Sequence, residues 1–187
     1  MKKWCAFSLL LVLNLTSAAY ALPAEVILIR HAEKPAQGNE LSPRGWQRAF
    51  ALVGFFLNNP MMTRFGTPTV LFPMAQMSVG GSVRAIQTIT PLAKQLGLPL
   101  HLNYTRDQYP EAAQEILRNP AYDGKTVLIC WEHKVLPDFA AHLGLRNGPT
   151  DWPDSVFDRA WVIDYSGDRI VGFHDLPQRL LAGDSAR

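Results

Sequence analysis

Cysteine is scarce in this sequence: Cys5 and Cys130 are the two present in 187 residues. No internal repeat or low-complexity tract is visible, which leaves no solenoid to consider. Charge of one sign is lacking too, since 18 Lys and Arg face 16 Asp and Glu for a net +2. No apolar run reaches the roughly 20 residues that a membrane-spanning helix needs. Against these absences, 48% apolar and 18% charged residues describe a chain that folds around a core.

The small positive balance comes from the amino end. Met1-Lys2-Lys3 is a short cationic start, followed by an apolar stretch over residues 5–15 and a small-residue region ending Ala19-Tyr20-Ala21. That order is the form of a secretory signal peptide, with cleavage expected after Ala21. A short retained anchor is the competing reading. A lipoprotein is disfavoured because Cys5 precedes the apolar run. Removing residues 1–21 deletes Lys2 and Lys3 and no acid, leaving 16 basic and 16 acidic side chains. The mature chain is then neutral, which excludes a basic nucleic-acid surface. Cys130 is left alone, so no internal disulfide is possible, and its apolar run predicts that it is buried. The expectation is an exported protein, periplasmic or secreted, with no stable membrane insertion after cleavage. Residues 22–187 form one domain, of oligomeric state that the sequence does not define.

Residues 25–30 are a continuous apolar, β-branched run, as in a strand buried on both faces of a parallel sheet. Ser42-Pro43 reads as N-cap and first helical position of a helix to about residue 57, with Phe50, Val53, Phe56 and Leu57 on its apolar side. A second strand is predicted at 69–72 and a helix at 82–96, stopped by Gly97, with a kink or break near Ile89 ahead of Pro91. A third short strand follows at 98–102, a helix at 108–118, a fourth strand at 126–131 and a helix at 135–143. Residues 159–164 and 169–173 flank Ser166-Gly167 and read as a β-hairpin at the sheet edge. Strands alternating with helices predict a three-layer α/β/α sandwich with a mostly parallel central sheet and a C-terminal edge hairpin.

Ligands of open α/β sheets bind beyond the carboxyl ends of the strands. Arg30-His31 ends the first strand there, Arg84 opens the helix after the second, and Glu132-His133 ends the strand at 126–131. Two arginines and two histidines converge by topology. Neutral imidazole can attack phosphorus and form a phosphohistidine, and neighbouring arginines favour the neutral ring. Guanidinium groups match phosphate oxygens and stabilise the transferring group. Helix amino ends at the same edge add N–H groups, and the chemistry requires no metal or cofactor. His101, His142 and His174 have no such context and read as structural or exposed. Glu33 and Lys34 read as residues shaping the pocket mouth.

The blocks Leu28-Ile-Arg-His-Ala-Glu-Lys-Pro35, Leu41-Ser-Pro-Arg-Gly45, Arg84-Ala-Ile-Gln-Thr88 and Val127-Leu-Ile-Cys-Trp-Glu-His133 occur in order across nearly all of the mature chain. Together they resemble the histidine phosphatase superfamily, in its phosphoglycerate-mutase-like branch. The resemblance implies His31 as phospho-acceptor, a phosphate pocket of Arg30, Arg84 and His133, and a phosphatase or mutase activity. Export argues for the phosphatase, a histidine acid phosphatase-like hydrolase acting on a phosphomonoester or related phosphorylated small molecule. Two positions depart from the family pattern. Ala32 stands where glycine is commoner, and Glu132 stands where a small residue usually precedes the second histidine. The general acid, which the family commonly supplies from the loop after the third strand, therefore stays open between Asp107 and Glu132, with Glu111 behind them.

Two other readings compete. A metal-dependent hydrolase would use His31, Glu33, His133 and an aspartate as ligands, although arginines beside a cation oppose it. A non-catalytic module would keep the pocket to capture a phosphorylated ligand after losing the acid.

Overall fold

The computed structural model describes residues 22–185, so the segment read as a signal peptide and its cleavage point after Ala21 lie outside the described residues. Five strands form one sheet: β1 (Glu25–Arg30), β2 (Val70–Pro73), β3 (Thr126–Trp131), β4 (Arg159–Ser166) and β5 (Arg169–Pro177), in the order β2-β3-β1-β4-β5. β2, β3 and β1 run parallel, whereas β4 is antiparallel to β1 and β5 antiparallel to β4. β1 and β3 are buried at every position, as their unbroken apolar runs require. The hairpin is present, with β5 at the sheet edge and largely half-exposed.

Among the described residues four α-helices pack on the sheet: α1 (Pro43–Asn58), α2 (Arg84–Leu96), α3 (Tyr109–Arg118) and α4 (Leu136–His142). α1 packs on α2, and α3 on α4. α1 lies in the crossover from β1 to β2, and α3 in the one returning to β3. These crossovers travel in opposite directions, so right-handed connections put their helices on opposite sheet faces. That gives the expected three layers.

Ser42 caps α1 by accepting from the Gly45 N–H at 3.1 Å, and Pro43 takes the first position. The buried face of α1 differs from the expected one. Ala49, Leu52, Phe55 and Phe56 face the core, while Phe50 is 63% exposed beside Trp46. Those four residues follow helical spacing closely enough to form the stripe without Phe50. α2 runs unbroken through Pro91, so no break occurs near Ile89.

The strand expected at 98–102 is absent. This segment is extended beside β2 and makes one bond of a ladder, from His101 N–H to the Leu71 carbonyl. Pro99 has no N–H, and that of Leu98 closes the end of α2 on the Ala93 carbonyl. The end of the described chain is anchored, since Asp184 pairs with buried Arg48 at 2.7 Å. Arg48 meets Glu33 at the same distance, so the tail is pinned through Arg48 to the chain following β1.

Candidate active site

The carboxyl ends of β1 and β3 lie side by side, with Arg30 opposite Trp131 in register. His31 continues the ladder one step, its N–H donating to the Trp131 carbonyl at 3.0 Å. The ring is 4% exposed. Its Nδ1 lies 2.8 Å from the Ala32 carbonyl. A carbonyl only accepts, so Nδ1 carries the proton and Nε2 keeps its lone pair. Burial, with Arg30 and Arg84 adding to it, pushes the ring's pKa down to about 4. His31 is thus a neutral base of fixed tautomer.

Thr88 fixes the backbone behind that ring. Its Oγ1 accepts from the Ala32 N–H at 2.8 Å and donates to the Arg84 carbonyl at 2.7 Å, tying the end of β1 to the first turn of α2. Gly45 permits a second close approach: a Cβ there would lie 2.3 Å from the Glu33 carbonyl oxygen. The start of α1 is held against residue 33, and the Ser42 N–H donates to the same carbonyl at 2.9 Å.

Arg30 is 1% exposed and half engaged. Its Nη1 donates to the carbonyls of Asp154 (2.6 Å) and Val156 (2.9 Å), and its Nη2 meets Asp154 Oδ1 at 3.2 Å. The Phe157 ring covers it with its centroid 3.7 Å from the guanidinium carbon. Its Nε is buried and has no partner. Arg84 is directed at the loop after His31, donating from Nε to the Glu40 carbonyl (3.1 Å) and from Nη2 to that of Gly38.

His133, 5% exposed, lies between two carboxylates. Its Nε2 is 3.2 Å from Asp154 Oδ1, and its Nδ1 is 2.8 Å from Glu132 Oε1. The second approach is close but misaligned, so Nδ1 makes no hydrogen bond and is a buried nitrogen without a partner. Burial, followed by the Arg30 charge, holds the His133 ring below the ordinary histidine pKa. Glu132 reaches Arg106 Nε through its other oxygen at 3.2 Å. Asp107 bonds the same arginine at 2.6 Å but is 65% exposed. Glu111 lines a groove with Gln114, Arg118 and His142, none of them a site residue.

The structure therefore groups His31, Arg30, His133 and Glu132, places Arg84 within electrostatic reach of His31, and leaves Asp107 on the rim. Glu33 is bound to Arg44 and Arg48, and with them, Val156 and Phe157 it lines a cleft of about 430 Å³. The metal ligand set of His31, Glu33 and His133 is not assembled. Among the described residues no three His, Cys, Asp or Glu side chains are grouped to hold a metal ion. His101 stacks on Phe72, His142 bonds its own helix, and His174 pairs with Asp164. Cys130 is buried, with its thiol pushed up by burial. A cleft of about 730 Å³, lined by Leu22, Leu117, Leu143, Tyr165 and Ile170, lies toward the amino end of β1, away from these groups.

Four residues of this site carried no signal strong enough to single them out: Thr88, Arg106, Asp154 and Phe157. The last two have one in retrospect. A hairpin strand antiparallel to β1 enters the sheet at the carboxyl end of β1, since Ala160 pairs with Ile29. The acidic and aromatic residues of 151–158 must then lie against Arg30-His31.

A buried neutral histidine thus lies beside arginines at the carboxyl edge of a partly parallel sheet, the edge at which open α/β sheets bind ligands. Neither a protein-family model nor a curated protein matches the sequence. Solved structures do. A candidate phosphohistidine phosphatase SixA from Agrobacterium tumefaciens aligns at TM-score 0.50 and 19% identity, over 82% of this chain and 99% of its own. The mycobacterial glucosyl-3-phosphoglycerate phosphatase Rv2419c aligns at TM-score 0.51 and 13% identity, over 82% and 97%. The chain shares its fold with both phosphatase structures, in agreement with the α/β architecture that the sequence predicted.

Proposed function

We propose that the chain is a metal-independent phosphatase that hydrolyses a phosphomonoester or related phosphorylated small molecule through a phosphohistidine on His31. One observation carries the reading. A buried, neutral histidine of fixed tautomer sits beside a buried guanidinium nitrogen without a hydrogen-bond partner, Arg30 Nε. Buried polar groups are normally satisfied, and their cost is high when they are not. A phosphoryl group, with several acceptor oxygens, answers that donor. Both aligned structures bear phosphatase names, which agrees with the reading.

His31 Nε2 attacks phosphorus, and the bond from phosphorus to the leaving oxygen breaks. Arg30, Arg84 and His133 stabilise the charge on the transferring oxygens. The leaving oxygen takes a proton from an acid. Glu132 is favoured for this over Asp107, because it touches His133 while Asp107 is turned to solvent on Arg106. Water then gives a proton back to that carboxylate as it attacks phosphorus, the P–N bond breaks to leave neutral His31, and inorganic phosphate leaves. Export through residues 1–21 is part of the proposal, and the mature protein should begin at Leu22 by mass.

The test is turnover of an aryl phosphate with and without chelator, alongside mass analysis of alkali-quenched enzyme. Expected are chelator-resistant turnover, a phosphoryl mass on the His31 peptide, and loss of both in His31→Ala. Activity that chelator removes would overturn the reading, as would turnover surviving His31→Ala. Glu132→Gln should slow poor leaving groups more than good ones, and Asp107→Asn should not.

A further inference from the structure

Asp154 stands in the middle of this site, and none of the steps above uses it. Its Oδ1 lies 3.2 Å from Arg30 Nη2, 3.2 Å from His133 Nε2 and 3.7 Å from Lys34 Nζ. One carboxylate oxygen thus gathers three basic side chains, two of which are proposed to hold the transferring phosphoryl group. Carboxylate and phosphate oxygens offer guanidinium and imidazole the same kind of acceptor. The Asp154 side chain is 71% exposed, so burial does not compel this pairing, and an exposed ion pair yields readily to a stronger anion. Lys34, then Arg30 and His133, hold its carboxyl below the ordinary aspartate pKa.

The surrounding segment closes the same space. Arg30 Nη1 binds the carbonyls of Asp154 and Val156, Phe157 covers the Arg30 guanidinium, and its ring centroid is 6.2 Å from that of His31. His31 and His133 are 4% and 5% exposed. A phosphoryl group that binds Arg30 and His133 must take the position that Asp154 Oδ1 now holds between them, and Asp154 is the most exposed member of that cluster.

We propose that Asp154 is an internal stand-in for the substrate anion: the free protein keeps its phosphoryl site occupied by this carboxylate, which an incoming phosphoryl group must displace. The inference rests on the phosphatase reading and adds an affinity threshold to it. Displacing Asp154 costs every anion the same, so it leaves their relative affinities unchanged and weakens all of them. The terminal dianion of a monoester, with a second charge and further acceptor oxygens for Arg30 Nε, binds above that threshold. A monoanion such as acetate, or the single charge of a phosphodiester, falls below it.

The experiment compares wild-type protein and Asp154→Asn, with inorganic phosphate as inhibitor of aryl phosphate turnover and acetate as control anion. If the open state is a minor one of about 10%, removing the competitor tightens phosphate inhibition about tenfold. kcat/KM for the monoester should rise with it, and acetate should become a measurable inhibitor of the variant. A crystal structure with vanadate should show the Asp154 carboxylate displaced from His133. Unchanged or weaker phosphate inhibition in Asp154→Asn overturns the inference, as does a fall in kcat/KM. A vanadate complex that retains the contact between Asp154 and His133 overturns it even if affinity rises, since charge repulsion alone would then explain the gain. Each of these leaves the phosphatase reading intact, which fails instead if the wild-type protein has no turnover that depends on His31.

Discussion

Replacing His31 with glutamine should abolish turnover and make the protein less sensitive to acid. The ring's pKa is about 4 in the folded protein against an ordinary 6.5. The folded state therefore binds fewer protons than the unfolded one between these values, and stability falls as pH drops through that window. At pH 7.5 both states hold a neutral ring and the effect is negligible. At pH 4.5 nearly every unfolded ring is protonated, against about a quarter of folded ones, and linkage gives a loss of about 2.5 kcal/mol. For a domain whose stability is on the order of 5–15 kcal/mol, that is readily measured. Urea unfolding of both proteins at the two pH values gives the result directly. The stability of His31→Gln relative to wild type should improve by about 2.5 kcal/mol on going from pH 7.5 to 4.5. His133 and the carboxylates remain in both proteins, so their contributions largely cancel in the comparison. Parallel loss of stability would refute the claim that the fold holds this ring neutral. The attack by an uncharged Nε2 would then lose its physical basis.

Thr88→Val keeps the shape of the side chain but strips the acceptor from the Ala32 N–H and the donor from the Arg84 carbonyl. It should cost about 1–3 kcal/mol by urea unfolding. It should also lower kcat more than it raises KM, with Thr88→Ser restoring most of the loss, because the Ala32 carbonyl sets the His31 tautomer. Glu25→Gln tests the opposite end of β1, where Glu25 is fully buried beside Asp164 and Arg64 bridges both. Burial raises Glu25 from 4.5 to about 7, so the folded state binds the extra proton and wild-type stability falls as pH rises from 4.5 to 7. The glutamine variant should be flat over that range and gain roughly 2–3 kcal/mol on wild type by pH 8, read by thermal or urea melts.

Much of the fold was legible because its signals are local. The unbroken apolar runs of β1 and β3 required strands buried on both faces, and both are buried throughout. Ser42-Pro43 announced the start of α1, and the cap bond to Gly45 is present. The misreadings were tertiary. Phe50 belongs by composition to the apolar face of α1, yet the approach of α2 selected Leu52 and Phe55 instead. Residues 98–102 have a strand's composition, but Pro99 removes a donor and the cap of α2 uses another. The anchoring of Asp184 has no short-range signal either, because nothing in the neighbouring sequence shows that Arg48 takes a second carboxylate.

The candidate site divides along the same line. Arg30, His31, Arg84 and His133 are displayed at the ends of strands and the start of a helix, so alternation of elements alone brings them to one edge. What each can do once there depends on contacts between loops far apart in sequence. Arg30 bonds residues more than 120 positions away, and Glu132 shares Arg106 with Asp107 across the gap between α2 and β3. No periodicity reports such pairings, because they belong to loops brought together only when the sheet closes. One step of topology would have exposed the most consequential of them. Once the last two strands are read as a hairpin and the first of them is set antiparallel to β1, the chain entering it must cross in front of His31. That chain carries Asp154 and Phe157, an anion for the arginine and a ring to cover it. Strand order alone therefore implies that this site carries its own counter-ion.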